Sequence, residues 1–234
     1  MFDTLVKDRK SDDNSFVENG IRYEQGGIRN DTVRMCGFVD NFQRPVTLVI
    51  PAEVRGKHVI FVNPNAFKGE PIEEIIIENR NGWSFAILDS AFAHCTKLHA
   101  IKLNTDTMID FEKNAFIGCE KLVKVDGENV EVRVYSNAFK DCVSLEHFQP
   151  AIVTLWREAF HNCPKLHRLS FSKSYAFLYD GCLNYSAVKQ ISVGKIDFDE
   201  YALSQIPTLG ITVSCSDENT VTKLKEAGVN CCEN

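Results

Sequence analysis

The dipeptide Ala-Phe recurs in a fixed setting at Ala66-Phe67, Ala91-Phe92, Ala115-Phe116, Ala138-Phe139, Ala159-Phe160 and Ala176-Phe177, with a degenerate copy at Ala202-Leu203. Phe67, Phe92, Phe116 and Phe139 are separated by 25, 24 and 23 residues, and the steps to Phe160 and Phe177 shorten to 21 and 17. A period of roughly 20–30 residues marks a solenoid, in which each unit buries its apolar face against its neighbours. The whole 234-residue chain can therefore be one elongated body.

Aligning on Ala-Phe shows what each unit contains. Apolar pairs lie six and four residues before the Ala: Ile60/Val62, Phe85/Ile87, Ile109/Phe111, Val132/Val134 and Val153/Leu155. Spacing by two predicts a strand with one buried face. Three residues after the Phe comes Cys95, Cys119, Cys142 or Cys163, and three further on Leu98, Leu122, Leu145 or Leu166. A second extended segment then follows the rhythm of Leu98-Ile101-Leu103 and Leu166-Leu169-Phe171, with Ile72-Ile75-Ile77 and Val188-Ile191-Val193 as outer copies. Each unit thus reads as strand, tight turn and strand. Stacked about 4.8 Å apart, like strands pair into two ribbons with the Phe rings between them.

These residues resemble the BspA-like class of leucine-rich repeats, whose unit reads roughly AFxxCxxLxxIxIP. The resemblance covers about residues 46–214, and GIRY (20–23), VTLVIPAEV (46–54) and GKHV (56–59) look like the entry segment of such proteins. The expected fold is a β-rich leucine-rich-repeat solenoid, a right-handed coil with short turns and 3-10 segments. A mobile segment is expected over 1–15, a β capping region over 16–62 and repeats over 63–214. A cap helix over Thr220–Ala227 and a tail complete the chain to 234. Glu70 departs from the pattern at the Cys position of the Phe67 copy, and the Phe177 copy looks compressed, with Cys182 displaced.

Little in the chain points to catalysis. No G-x-S-x-G, H-E-x-x-H, P-loop or dinucleotide fingerprint occurs. His94, His99, His161 and His167 fall at solvent-facing repeat positions while the neighbouring Cys point inward, so neither metal nor cofactor is expected. The nine cysteines read as structural thiols in a buried ladder plus an idle Cys231-Cys232 tail. Net charge is −6 with Lys and Arg scattered, which argues against nucleic acid. No apolar run reaches the ~20 residues of a membrane span. The first twenty residues contain no apolar signal-peptide core, which reads as a chain that stays where it is made.

One surface can be drawn from residue numbers: the outward positions of the second strands. By copy they are Glu74/Ile76/Glu78, Ala100/Lys102/Asn104, Lys124/Asp126/Glu128, His147/Gln149/Ala151, Arg168/Ser170/Ser172 and Gln190/Ser192/Gly194. Of these, Ile76, Lys102, Asn104, Lys124, Asp126, Glu128, His147, Gln149, Arg168, Ser170 and Ser192 are the candidate binding residues. Their mixed charge predicts weak electrostatic steering. Tyr175, Phe177, Tyr179 and Tyr185 read as a plug filling the compressed turn, with a Tyr-rich recognition surface as the alternative, and Trp83 as an exposed anchor or a cover over the first repeats. The resemblance implies surface display or adhesion and a protein or glycan partner, for a monomer or weak homo-oligomer. An intracellular scaffold on the same fold is the main alternative, and an enzyme with a site in a cap the remote one.

Overall fold

In a computed structural model, the described residues are 15–27, 29–79, 82–128, 130–171, 176–194, 196–198 and 206–233. The expected mobile segment up to residue 14, Ser172, Tyr175 and the Ala202-Leu203 copy lie outside them. The chain opens with β1 (Ser15–Glu18), β2 (Ile21–Gln25), β3 (Thr32–Phe38), β4 (Thr47–Pro51), β5 (Glu53–Val54) and β6 (Lys57–Val62). The coils follow with β7 (Glu74–Glu78), β8 (Phe85–Ile87), β9 (Ala100–Leu103), β10 (Ile109–Phe111), β11 (Lys124–Asp126), β12 (Glu131–Val134), β13 (His147–Phe148) and β14 (Ala151–Leu155). Last come β15 (Arg168–Ser170), β16 (Ala176–Leu178), β17 (Gln190–Val193), β18 (Ile196–Phe198), β19 (Thr212–Cys215), helix α1 (Glu218–Glu226) and β20 (Asn230–Glu233).

Strands preceding the Ala-Phe turns join in one ribbon, β3-β6-β8-β10-β12-β14-β16-β18, which is parallel from β3 onward. The antiparallel pairs β1–β2 and β2–β3 close its N-terminal end. The other ribbon is split into β4-β7-β9-β11-β13 and β15-β17-β19-β20. Each half is parallel throughout.

Between the ribbons the five Phe rings from Phe67 to Phe160 form a continuous stack. Successive centroids are 5.3, 5.4, 5.2 and 5.6 Å apart with interplanar angles of 12° or less. The turn carrying each ring is itself a hydrogen-bonded ladder. Phe67 N donates to Ala91 O, Phe92 N to Ala115 O, Phe116 N to Ala138 O and Phe139 N to Ala159 O, at 2.8–2.9 Å. Each of Ala91, Ala115, Ala138 and Ala159 is small because its carbonyl must come this close to the preceding turn. Left-handed residues bracket these turns, for example Asn114 and Gly118, Asn137 and Asp141, and Glu158 and Asn162. Asn, Asp and Gly bear that conformation at least cost.

The cysteine ladder does more than fill space. Cys95, Cys119, Cys142 and Cys163 are buried, and each thiol donates to the carbonyl of the Phe one coil earlier: Phe67, Phe92, Phe116 and Phe139, at 3.1–3.3 Å. The carbonyls of Phe92, Phe116 and Phe139 also accept the backbone N–H of the Cys within their own coil. The thiol thus serves the second lone pair of a buried acceptor. In the first coil the Cys position is held by Glu70. Glu70 instead meets Arg44 at 2.8 Å, and that guanidinium also donates to Val39 O and Phe42 O and lies over the Phe38 ring.

Three expectations about the strands are corrected. Val59 and Ile152 are buried in place of Ile60 and Val153, because the pairings Val33–Val59 to Arg34–Phe61 and Val132–Ile152 to Arg133–Thr154 each skip one residue. The skipped residue is a β-bulge, which shifts the buried set by one. Ala176-Phe177 is not a turn: it lies in β16, where Leu178 pairs with Leu155. The place of Ala-Phe in that coil is taken by Cys182-Leu183, both buried, between the left-handed residues Gly181 and Tyr185. Leu183 lies 23 residues after Phe160, so this coil is of ordinary length. Finally, Cys231 and Cys232 are not in a tail but in β20, which pairs with β19.

The helix starts two residues before the expected Thr220. Asp217 is its N-cap, accepting from Thr220 N at 2.8 Å and Thr220 Oγ1 at 2.7 Å, while Val221 and Leu224 are buried beneath it. At the other end, Gly37 has φ +113, and a Cβ there would overlap the Ala66 carbonyl oxygen. Gly37→Ala is expected to cost about 2–5 kcal/mol in urea unfolding, combining backbone strain with overpacking. Gly56→Ala has a similarly left-handed backbone but open space around it. That variant is expected to cost only about 1–2 kcal/mol, and equal losses would contradict the close approach.

Candidate functional site

Side chains of the second ribbon alternate between the core and an outer side, so the residues at i, i+2 and i+4 of its strands share one outer face. None of the eleven candidate residues is buried. Asn104, Glu128, His147, Gln149 and Arg168 are exposed, and Ile76, Lys102, Lys124, Asp126, Ser170 and Ser192 are half-buried within the same face. Ala100 holds the outward register between Glu74 and Lys124 but is covered, at 1% exposure, whereas Ala151, also expected on this face, begins β14 in the opposite ribbon, paired with Glu131.

The face has two chemically different halves. Over β7, β9 and β11 the charges answer one another: Lys102 Nζ meets Glu74 Oε1 at 2.7 Å, and Lys124 Nζ meets Asp126 Oδ2 at 2.7 Å. The Lys102 ammonium, with its hydrogen bond first, holds the Glu74 carboxyl below its ordinary range. Glu78 and Glu128 add further negative charge to this half. The sheet edge here is β4, where Val49 is exposed and pairs with Ile76, and Val46 just before it is exposed too.

Beyond β13 the character changes. Among the described residues no backbone hydrogen bond joins β13 to β15, and the ribbon parts there. Inside the coil, Phe148 takes the place held by Ile101, Val125 and Leu169 in other copies. Its ring stands edge-on to Phe139 at 5.3 Å and to Phe160 at 5.1 Å, and the Phe139–Phe160 step is the widest in the stack. A bulkier wedge inside and the imide Pro150 just after β13, which has no N–H to donate, account for the break. Outside it lies a depression of about 510 Å³ lined by Glu146, His147, Lys165, His167 and Arg168. A second, of about 330 Å³, shares Arg168 and runs over Gln190, Ile191, Ser192, Thr212, Ser214 and Cys232. Sequence reasoning placed His147, Arg168 and Ser192 on this surface but not Lys165, Thr212 or Ser214. Lys165 comes from a turn, and Thr212 and Ser214 lie beyond the coils that Ala-Phe marks.

The aromatic residues near the sixth coil are on the opposite ribbon. Tyr179 continues a stack begun by Tyr135 and Trp156, with centroids 4.0 and 4.9 Å apart, and Phe177 leans on Tyr179 at 4.8 Å. They extend a repeat position and do not plug a shortened turn. Tyr185, 70% exposed, packs against His161. Trp83 lies over the first coils, stacked on His58 at 5.6 Å with the Arg29 guanidinium 4.6 Å above its ring.

No group of three or more metal-ligating side chains is present among the described residues, and no described helix is long and apolar enough to cross a membrane. The repeat units match the family model of the BspA-type leucine-rich repeat region in six copies over residues 60–189, more than half of the chain. The chain belongs to the BspA-type leucine-rich repeat family. Two solved leucine-rich repeat proteins share its fold. One is a leucine-rich cell surface protein of Faecalibacterium prausnitzii, similar at a TM-score of 0.59 and 16% identity over 89% of this chain and 56% of that one. The other is a leucine-rich repeat protein of T. pallidum, at a TM-score of 0.54 and 15% identity over 93% of this chain and 97% of that one. This BspA-type chain therefore spans little more than half of the first relative and nearly all of the second. No curated protein matches it.

Proposed function

We propose that this BspA-type protein is a non-catalytic interaction module that binds a protein or glycan partner through the outer face of its split ribbon. The observation that carries this reading is the contrast along the face. One half ties its lysines into the pairs Lys102–Glu74 and Lys124–Asp126, while the other leaves two adjoining depressions around Arg168. A rigid, hydrogen-bonded sheet holds these side chains in place, so little ordering cost opposes binding. A surface or adhesive setting is supported by the family and by the cell-surface relative from Faecalibacterium prausnitzii.

The test is retention of partners from a panel of purified surface proteins and glycans on the immobilised chain. Replacing Lys102, Asp126 and Gln149 together by Ala changes the face on three successive coils and should weaken the retained partner about tenfold or more. Unchanged retention by a variant that melts like the wild type would overturn the use of this face.

A further inference from the structure

Fixed charge is segregated along the outer face. Its first half carries Glu74, Glu78, Asp126 and Glu128 against Lys102 and Lys124. Around the break between β13 and β15 the balance reverses: Lys165 and Arg168 stand against Glu146, with His147 and His167 beside them. On a chain of net charge −6 this is a local reversal of sign. The cations are also held in place. Lys165 Nζ rests 3.0 Å from Glu146 Oε1, and Arg168 gives Nε and Nη2 to Gln190 Oε1 at 3.0 and 2.6 Å. A guanidinium has five N–H donors and an ammonium three, so both retain donors for an incoming anion. His167 Nδ1 lies 3.2 Å from the carbonyl of Ala187, which can only accept, so the ring is oriented by donating there.

The adjoining floor has a different chemistry. From Arg168 it continues over Gln190, Ser192, Thr212 and Ser214, which are amide and hydroxyl side chains one strand apart. It offers no aromatic anchor of the kind a protein partner's hot spot would use. Hydroxyl and amide groups repeating at the strand spacing suit a polymer that carries hydroxyls along its length, and the break suits an anionic group on that polymer.

From this juxtaposition we propose that the break and the floor beside it form one binding groove for an acidic polysaccharide. Its carboxylate or sulfate is held by Lys165 and Arg168, and its hydroxyls lie along Gln190, Ser192 and Thr212. This rests on the interaction-module reading and supplies its partner chemistry.

Four immobilised polymers test it with the full chain: polygalacturonate, dextran sulfate, unmodified dextran and poly-L-glutamate. Both acidic polysaccharides are expected to bind, and their relative affinity identifies carboxylate or sulfate as the preferred anion. Binding should weaken steeply between about 50 and 500 mM salt, as for screened charges. Lys165→Gln with Arg168→Gln should weaken it about tenfold or more, and Arg168→Lys by less, because it keeps the charge and loses the fork. Ser192→Ala with Thr212→Ala should weaken the polysaccharides about threefold while leaving poly-L-glutamate unaffected. Lys97 holds the position of Lys165 three coils earlier and is exposed, so Lys97→Gln should bind as the wild type does. Poly-L-glutamate binding as tightly as the polysaccharides would assign the groove to an acidic peptide. Equal binding of dextran, no binding at all, or indifference to the Lys165/Arg168 change would each overturn the proposal. The Lys102/Asp126/Gln149 variant separates the two readings. If it loses a panel partner while none of the four polymers binds, the groove proposal fails and the use of the face stands.

Discussion

Phe116→Ala is expected to lower the unfolding free energy by about 3–5 kcal/mol and the melting temperature by about 6–20 °C. Phe116 is fully buried, stacked between Phe92 at 5.4 Å and Phe139 at 5.2 Å, with Phe111 edge-on at 5.6 Å. Neighbours cannot close the gap, because the two ribbons and the turn ladder through Ala115 and Ala138 fix the coil's width. Removing the ring therefore leaves a cavity in the middle of the stack. In a solenoid that cavity also weakens the interface between adjacent coils, since each coil touches only its neighbours. Thermal and urea unfolding followed by far-UV circular dichroism check this, and a loss below about 1 kcal/mol would show that the coil collapses around the missing ring.

Alkaline pH is expected to unfold the protein through its thiol ladder. Burial pushes the Cys95 and Cys163 thiols up to about 12, and drives those of Cys119 and Cys142 well above the ordinary thiol range. The folded state keeps protons that the unfolded chain gives up. Below about pH 8.5 both states hold them, and these groups leave stability unchanged. Above that, each thiol removes about 1.4 kcal/mol per pH unit, and the four together about 5–6, for as long as the folded state keeps their protons. A domain worth about 5–15 kcal/mol then unfolds within one to three pH units of that onset. Cys142→Ala is less stable at pH 7, because the Phe116 carbonyl loses the thiol, yet its alkaline slope should be shallower by about one thiol's share of the seven that burial raises, Cys36, Cys215 and Cys231 included. Urea midpoints from pH 8 to 10.5 for both proteins decide the matter. Identical slopes would mean that these thiols do not govern the transition.

Much of this architecture was legible because its period is written in side chains that must be buried. Phe67 to Phe160, the four ladder cysteines and the leucines from Leu98 to Leu166 all sit where their spacing placed them. Phe85/Ile87, Ile109/Phe111 and Val132/Val134 do too. What failed was reasoning that relied on a fixed offset. Ile60 and Val153 lie beside bulges, and a bulge changes which neighbour faces inward without changing composition. Ala176-Phe177 matched the repeated dipeptide, yet inter-strand pairing put it in β16 and gave the turn to Cys182-Leu183. The Cys231-Cys232 segment read as an idle tail because of its terminal place, but the open edge of β19 supplied it with a partner.

The candidate face divides the same way. Alternation alone places Ile76, Lys102, Asp126, Arg168 and Ser192 outward, because a strand side chain has only two sides to choose from. Alternation carries no information about whether adjacent strands stay paired. The break between β13 and β15 depends on how Phe148 meets the rings of Phe139 and Phe160 in neighbouring coils.

The sequence by itself determined the period, the stacking of like positions and the identity of the buried ladders, since burial of a repeated apolar side chain is a local demand met again in every coil. Only the tertiary structure decided the register of the sixth coil, the split of the outer ribbon and the gathering of Lys165, His167 and Arg168 beside His147. Those depend on contacts between coils, whose energies are shared among residues about twenty positions apart and leave no mark in any one of them.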